Sequence, residues 1–213
     1  MVGYCSATGT RTTREKILEY GWNVLWTASG HNWDSLPIIP GYAIDNGAWS
    51  SYLSGREWSE SDFLRCLNFS REFSKGTGHS PLWCVLPDIV AGGLRSLDFS
   101  LRWINTVKDY SGIMLIAVQD GMRPEDVERY LGPEIGIFLG GSTEWKLKNM
   151  MEFGELAKSK DAYYHVARCN SQKRIHHAAA AGADSFDGTS VCRFPCTIKN
   201  LDRAIQQMTL PIF

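Results

Sequence analysis

Eight apolar runs recur along the chain, and polar segments with helical spacing separate them. The runs predict strands at Val2–Ser6, Trp22–Thr27, Tyr42–Asp45, Leu82–Pro87, Ile113–Gln119, Ile135–Gly140, Tyr163–Arg168 and Asp184–Phe186. Several are continuous rather than alternating, as in Ile113-Met114-Leu115-Ile116-Ala117-Val118. Continuous apolar runs suit strands covered on both faces, as in a parallel sheet beneath helices. The intervening segments predict helices at Arg14–Tyr20, Ser59–Phe73, Leu94–Asp109, Pro124–Tyr130, Thr143–Ser159, Ser171–Ala181 and Lys199–Gln207. In the third of these, Leu94, Leu97, Leu101, Ile104 and Val107 share one face. Ser-Glu-Ser-Asp at 59–62, Ser142 or Thr143, and Asn170 or Ser171 are candidate caps. The interval from Asn46 to Pro81 holds one helix plus a Gly/Ser-containing linker at Lys75–Ser80.

Strands alternating with helices imply βα units and a parallel sheet. Eight such units predict a compact (β/α)₈ TIM-like barrel, with residues 1–213 as a single domain. A doubly wound open sheet is the rival. It calls for a glycine-rich phosphate signature at its first turn, which Ala7-Thr8-Gly9-Thr10 does not supply. In a barrel the C-terminal strand ends converge on one mouth. Asp45, Asp88, Asp120 and Asp187 all fall at such ends.

Composition narrows the class. A hydrophobic content of 44% with 12% aromatics supplies a substantial core and sets the chain apart from a disordered one. No apolar run reaches about 18 residues, so no membrane partner is expected, and no signal-peptide pattern opens the chain. The expected location is therefore cytoplasmic. In that setting the six cysteines are expected as free thiols. Cys192 and Cys196 lack zinc-site spacing, so no metal is expected. A net charge of −1 advertises no global basic field, although a local basic rim can still bind nucleic acid.

Locally, each strand-end acid has a bland reading. Asp187 could cap the Gly188 turn, Asp45 sits in an Asp-Asn-Gly turn signal, and Asp88 follows Pro87. Phe186 is expected to face packing and Asp187 the mouth, since side chains alternate along a strand. Asp184, at the opposite end of that strand, reads as structural. Grouped acids repel and cost stability, so their convergence asks for a metal, a cationic substrate or acid–base chemistry. Gln119 offers an amide to a planar amide edge, with Asp120 beside it. Gly140-Gly141, at the head of a helix, lets backbone amides approach a flat ligand. Arg168 could hold a phosphate or an acid. His165 lies inside a strand, and His176 and His177 read as helix-surface or packing residues. Most tryptophans read as core, while Trp49, close after Asp45, could stack on a base.

The ordered set Asp-Asn-Gly at 45–47, Pro-Asp at 87–88, Val-Gln-Asp-Gly at 118–121, Leu-Gly-Gly at 139–141 and Asp-Ser-Phe-Asp at 184–187 resembles the tRNA-guanine transglycosylase superfamily. Phe-Leu-Gly-Gly-Ser-Thr-Glu-Trp-Lys-Leu and Val-Ala-Arg-Cys-Asn-Ser resemble its compact phage-type branch, which inserts 7-deazaguanines into DNA. The resemblance spans about Tyr42 to Thr189. It implies base exchange at a nucleotide C1′ without an organic cofactor. By it, Asp187 is the nucleophile and Asp45 the acid/base. Asp88, Gln119, Asp120 and the Gly140-Gly141 backbone recognise the purine. Phosphate contacts are expected from Lys146 and Arg168 and, less selectively, from Arg11, Arg14, Arg56, Arg95, Arg123 and Arg193.

Two departures bear on the substrate. The tRNA enzymes carry a Cys-x-Cys-x-x-Cys plus His zinc subdomain beyond the nucleophile. Here 26 residues follow Asp187, and Cys192-x₃-Cys196 does not match. The expected partner is therefore DNA, either single-stranded or with its base flipped out, together with a free 7-deazaguanine base. Asn46 stands where the tRNA enzymes have serine. The alternatives are a hydrolytic nucleoside or DNA glycosylase, a tRNA-guanine transglycosylase, and a non-catalytic nucleic-acid-binding barrel.

Overall fold

The structure, a computed structural model, describes residues 1–6, 10–28 and 41–209. Eight parallel strands close into a barrel in sequence order. They are β1 (Val2–Ser6), β2 (Asn23–Thr27), β3 (Tyr42–Asp45), β4 (Cys84–Val85), β5 (Met114–Val118), β6 (Ile135–Leu139), β7 (Tyr164–Val166) and β8 (Ser185–Asp187). The ring shuts where β8 pairs with β1, in the register Gly3 to Phe186 and Tyr4 to Asp187. This is the (β/α)₈ architecture that the alternating pattern predicts. Ala7–Gly9 of the rival phosphate-loop reading, and Trp33, lie outside the described residues.

Ten α-helices surround the barrel among the described residues: α1 (Arg11–Glu19), α2 (Ala48–Leu53), α3 (Glu60–Thr77), α4 (Leu94–Leu101), α5 (Ile104–Val107), α6 (Pro124–Val127), α7 (Thr143–Ser159), α8 (Gln172–Ala180), α9 (Ser190–Arg193) and α10 (Ile198–Thr209). Ser59, Ser142 and Ser171 cap α3, α7 and α8, each hydroxyl accepting from the backbone N–H three residues on.

Four expectations need correction. The interval after Asn46 holds two helices, because Gly47 at φ 79° turns the chain directly into the short α2. The proposed Lys75–Ser80 linker is helical through Thr77 and ends at Gly78 in a left-handed cap. The Leu94–Asp109 helix breaks at Arg102-Trp103, where the Trp103 ring packs edge-on against Trp58 and Phe63, with centroids 5.5 and 5.6 Å away. The fourth strand is short, since Pro87 has no N–H to extend its ladder.

The strands present their two faces to different cores. Tyr4, Leu25, Ala43, Trp83, Val85, Leu115 and Ala117 form one cluster, with Ile113, Phe138 and Tyr163 against it. Their strand neighbours, among them Cys5, Trp26, Ile44, Cys84, Ile116 and Phe186, join the larger layer beneath the helices. The alternation along each strand assigns the first cluster to the barrel interior. Aromatic rings fill much of it. The Trp83 centroid lies 5.0 Å from Tyr4 and 6.4 Å from both Phe138 and Tyr163. The barrel interior is therefore filled, and the strand-end acids lie above it, among the loops of the C-terminal mouth.

At Gly154, α7 leans directly on the turn before β8. A Cβ there would stand 1.9 Å from the Ala181 carbonyl oxygen. Gly154→Ala is expected to cost about 2 kcal/mol or more through overpacking, read as a lowered midpoint in chemical denaturation; an unchanged midpoint would show that α7 can retreat without loss.

Candidate functional site

Asp187 is the last residue of β8 and is 8% exposed. Phe186 packs outward and Asp187 projects to the mouth, as the alternation requires. Two N–H donors converge on one oxygen of its carboxylate. The Arg168 backbone N–H reaches Oδ1 at 3.0 Å and His165 Nε2 at 3.1 Å. His165 is fully buried. Its ring stacks on Phe138 at 4.9 Å and 11° and lies 4.7 Å from the Trp83 ring. Its Nδ1 meets Ser185 Oγ at 2.7 Å. Burial holds the imidazole pKa below its ordinary value despite the adjacent Asp187, so the ring is neutral at neutral pH. A neutral ring that donates from Nε2 must accept at Nδ1, which makes the Ser185 hydroxyl the donor there.

Asp45 closes β3, and its Oδ1 accepts from the Gly47 N–H at 2.6 Å. It keeps some solvent contact while being densely surrounded by protein. That crowding pushes its pKa up to about 7, opposed by the Gly47 bond and reinforced by the charges of Asp187 and Asp88. Asp88 follows β4. Burial raises it to about 6, opposed by a hydrogen bond from Asn46. Asp45 thus feels the charge of both other acids predicted to converge at the mouth. Among the described residues, no group of three or more His, Cys, Asp or Glu side chains is placed to hold a metal ion.

Asn46, noted from sequence only as a departure, has a clear task. Its Nδ2 donates to the Leu86 carbonyl at 2.7 Å and to Asp88 Oδ1 at 2.8 Å, and its Oδ1 accepts from the Ala48 N–H at 2.8 Å. It joins the ends of β3 and β4 while starting α2. A serine is too short to make this three-way connection.

The remaining candidates differ in availability. Gln119 accepts from the Ala91 N–H at 2.7 Å and donates to the Ile89 carbonyl at 2.9 Å. It braces the loop after β4 with half of its amide capacity and keeps one N–H and one lone pair. Asp120 grips the next loop, Oδ2 accepting from the Ser142 N–H and Oδ1 from its hydroxyl, each at 2.6 Å. Desolvation pushes Asp120 up, but the Ser142 bonds outweigh it and leave the pKa below its ordinary value. The Gly140 N–H is taken by the Val118 carbonyl at 2.9 Å. Gly141, at φ 72°, brings the turn against Asp120, where a Cβ would sit 2.7 Å from Oδ2.

Arg168, also at positive φ (59°), sends its guanidinium across the mouth to the Gly141 carbonyl and over the Trp49 ring, 4.3 Å from its centroid. Trp49 is 40% exposed and stacks on Tyr52 at 5.7 Å. Lys146 does not fit the expected phosphate contact. It is 2% exposed, and its ammonium donates to the Ala167 carbonyl beneath the rim. Burial lowers its pKa to about 8, helped by Arg168. Asp184 is structural, as expected, accepting from the Tyr164 N–H at 2.8 Å. Sequence reasoning missed His165 and Ser185. The available signal was parity, since both sit two residues before a mouth position, on the same strand face as Ala167 and Asp187.

Comparison with protein-family models and with curated proteins returns no match for this chain.

The raised pKa of Asp45 carries a stability consequence. Between its ordinary value of 3.8 and about 7, the folded chain keeps a proton that the unfolded chain has released. Stability therefore falls as pH rises through that window and levels off above it. Asp45→Asn keeps the acceptor for Gly47 and removes this loss. The variant is expected to be about 1–2 kcal/mol more stable than the parent at pH 8, after discounting for partial solvation, with little difference near pH 4. Thermal melts at the two pH values check this, and a variant less stable than the parent at pH 8 would contradict the assignment.

Proposed function

We propose that the chain is a DNA-guanine transglycosylase that exchanges guanine for a 7-deazaguanine base through a covalent aspartyl–sugar intermediate. The observation that carries this reading is the division of labour among the mouth acids. Asp187 presents a carboxylate gripped by two N–H donors, while Asp45 has a pKa near 7 and can hold or release a proton at neutral pH. A nucleophilic carboxylate beside a proton-carrying one is the arrangement that retaining sugar chemistry needs. The ordered strand-end motifs that resemble deazaguanine transglycosylases supply the substrate class.

In the proposed reaction, an Asp187 oxygen forms a bond to C1′ as the C1′–N9 bond breaks. The electron pair of that bond leaves on guanine, which takes one proton from Asp45. The incoming deazaguanine then gives its N9 proton to Asp45, and its N9 forms the new bond to C1′ as the Asp187 carboxylate departs. Atoms, charge and protons balance over the two halves, and Asp45 ends as it began. Asp88, with its carboxyl held by Asn46, and the remaining N–H and lone pair of Gln119 face the purine edge. Guanine offers N1–H and N2–H₂ donors to a carboxylate and acceptors to an amide. The exposed Trp49–Tyr52 pair and Arg168 lie where an extruded nucleotide would enter.

The test is exchange of labelled guanine or a preQ-type base into guanine-containing DNA. Asp187→Ala is expected to reduce exchange on the order of 10³-fold or more and to abolish a denaturant-stable protein–DNA adduct, with the fold intact. Full activity in Asp187→Asn would remove the covalent step. Abasic product formed without an acceptor base would show hydrolysis in place of exchange.

A further inference from the structure

We infer that His165 is a positioning residue that, with Ser185 behind it, fixes Asp187 so that Oδ2 is the oxygen that bonds C1′. The inference rests on the proposed transglycosylase reading and adds to it a stereochemical choice and a residue that the resemblance does not supply.

Both donors that reach the Asp187 carboxylate meet the same atom. His165 Nε2 is 3.1 Å and the Arg168 N–H 3.0 Å from Oδ1. An oxygen engaged by two N–H groups has its lone pairs committed and is the weaker nucleophile, so the attacking pair lies on Oδ2. The chain of bonds runs from Ser185 Oγ–H to His165 Nδ1, and from His165 Nε2–H to Asp187 Oδ1. It contains the residue types of a hydrolase triad, with the order of exposure reversed. Ser185 is fully buried beneath the histidine, and Asp187 is the member that reaches the mouth. Ser185 therefore has no access to a substrate and serves to set the imidazole tautomer.

The ring cannot easily turn away from this task. Phe138 lies against its face, and Trp83 and Tyr4 flank it, the latter at 5.9 Å and 79°. A donor held this rigidly serves both halves of the reaction. It bonds the carboxylate before attack and the ester carbonyl afterwards. It also strengthens as negative charge returns to Oδ1 when the sugar leaves, which makes Asp187 a better leaving group.

His165→Phe keeps the stack on Phe138 and removes the donor; combined with Ser185→Ala, it leaves no Ser185 hydroxyl facing the phenyl ring, and Tyr163, which also bonds Ser185, keeps Tyr4 and Trp83 as partners. The double variant is expected to lose about 10- to 100-fold in kcat for base exchange, with KM for the free base nearly unchanged. His165→Gln, which can return an N–H toward Oδ1, is expected to recover much of the loss. A double variant with parental kcat, while Asp187→Ala is inactive, overturns the role of His165 and leaves the transglycosylase reading standing. Imidazole ¹⁵N and ¹H spectra of the parent test the geometry without activity. The neutral Nε2–H form is expected, with a slowly exchanging proton resonance that shifts in Asp187→Ala. An Nδ1–H tautomer, or a resonance unmoved by Asp187→Ala, overturns the inference even if the double variant does not fold. Parental spectra as expected with no base exchange at all would place the failure in the proposed function and not in the Ser185–His165–Asp187 chain.

Discussion

Three carboxyls sit at one end of a closed barrel, and the loss of water around them is the constraint to which the rest of the mouth answers. Burial disfavours the charged form of a carboxyl, and a like charge nearby adds to that effect, as Asp187 and Asp88 do at Asp45. Here Asp45 is pushed to about 7 and Asp88 to about 6. The local solutions differ. Asn46 donates to Asp88, the Gly47 N–H to Asp45, and His165 and the Arg168 N–H to Asp187. The donors to Asp88 and Asp187 come from the end of the neighbouring strand, so these acids depend on strand pairing, while Asp45 is served by its own following turn.

The floor beneath the acids is what makes their positions firm. A barrel of this size needs its interior filled, and this chain fills much of it with aromatic rings instead of layered aliphatics. Flat rings packed edge and face leave few alternative rotamers, and His165 is one of the stack. Above the floor, side chains tie the loops to one another: Gln119 to the loop after β4, Asp120 to the turn after β6, Arg168 to both Gly141 and Trp49. Several residues that look like ligands in sequence therefore spend part of their bonding capacity on the scaffold. That is consistent with a site whose geometry is set before anything enters it.

Much of this was legible because it is written in short-range pattern. Apolar runs, several of them continuous, marked most of the strands, and the polar residues at their ends marked the mouth. Local pattern failed where a distant partner decides. The break in the helix after Leu101 follows the packing of Trp103 on Trp58 and Phe63, residues some forty positions away in the chain. Lys146 looks like a rim cation in sequence, yet its ammonium turns inward to a carbonyl of β7's following turn. Asn46 reads in sequence only as a departure because its partners, Leu86 and Asp88, lie in the segment just after the next strand. His165 was hidden by its setting, since a histidine in mid-strand is more often core, and only the pairing of β7 with β8 brings it under Asp187.

In the proposed reaction, the same pairing bears on which acid attacks and which one carries the proton. Among the described residues Asp45 accepts from one backbone N–H, and burial together with two nearby acids raises its pKa, circumstances that favour a transferable proton. The Asp187 oxygen Oδ1 is held by two N–H donors, one of them on a ring that burial keeps neutral. Were that ring charged, the contact would be an ion pair and, in the proposed reaction, the carboxylate a poorer nucleophile. Desolvation of His165 is therefore not incidental packing. It gives Asp187 a neutral donor from the neighbouring strand that holds the carboxylate in place, while Lys146 and Arg168 supply the positive charge that acts on it.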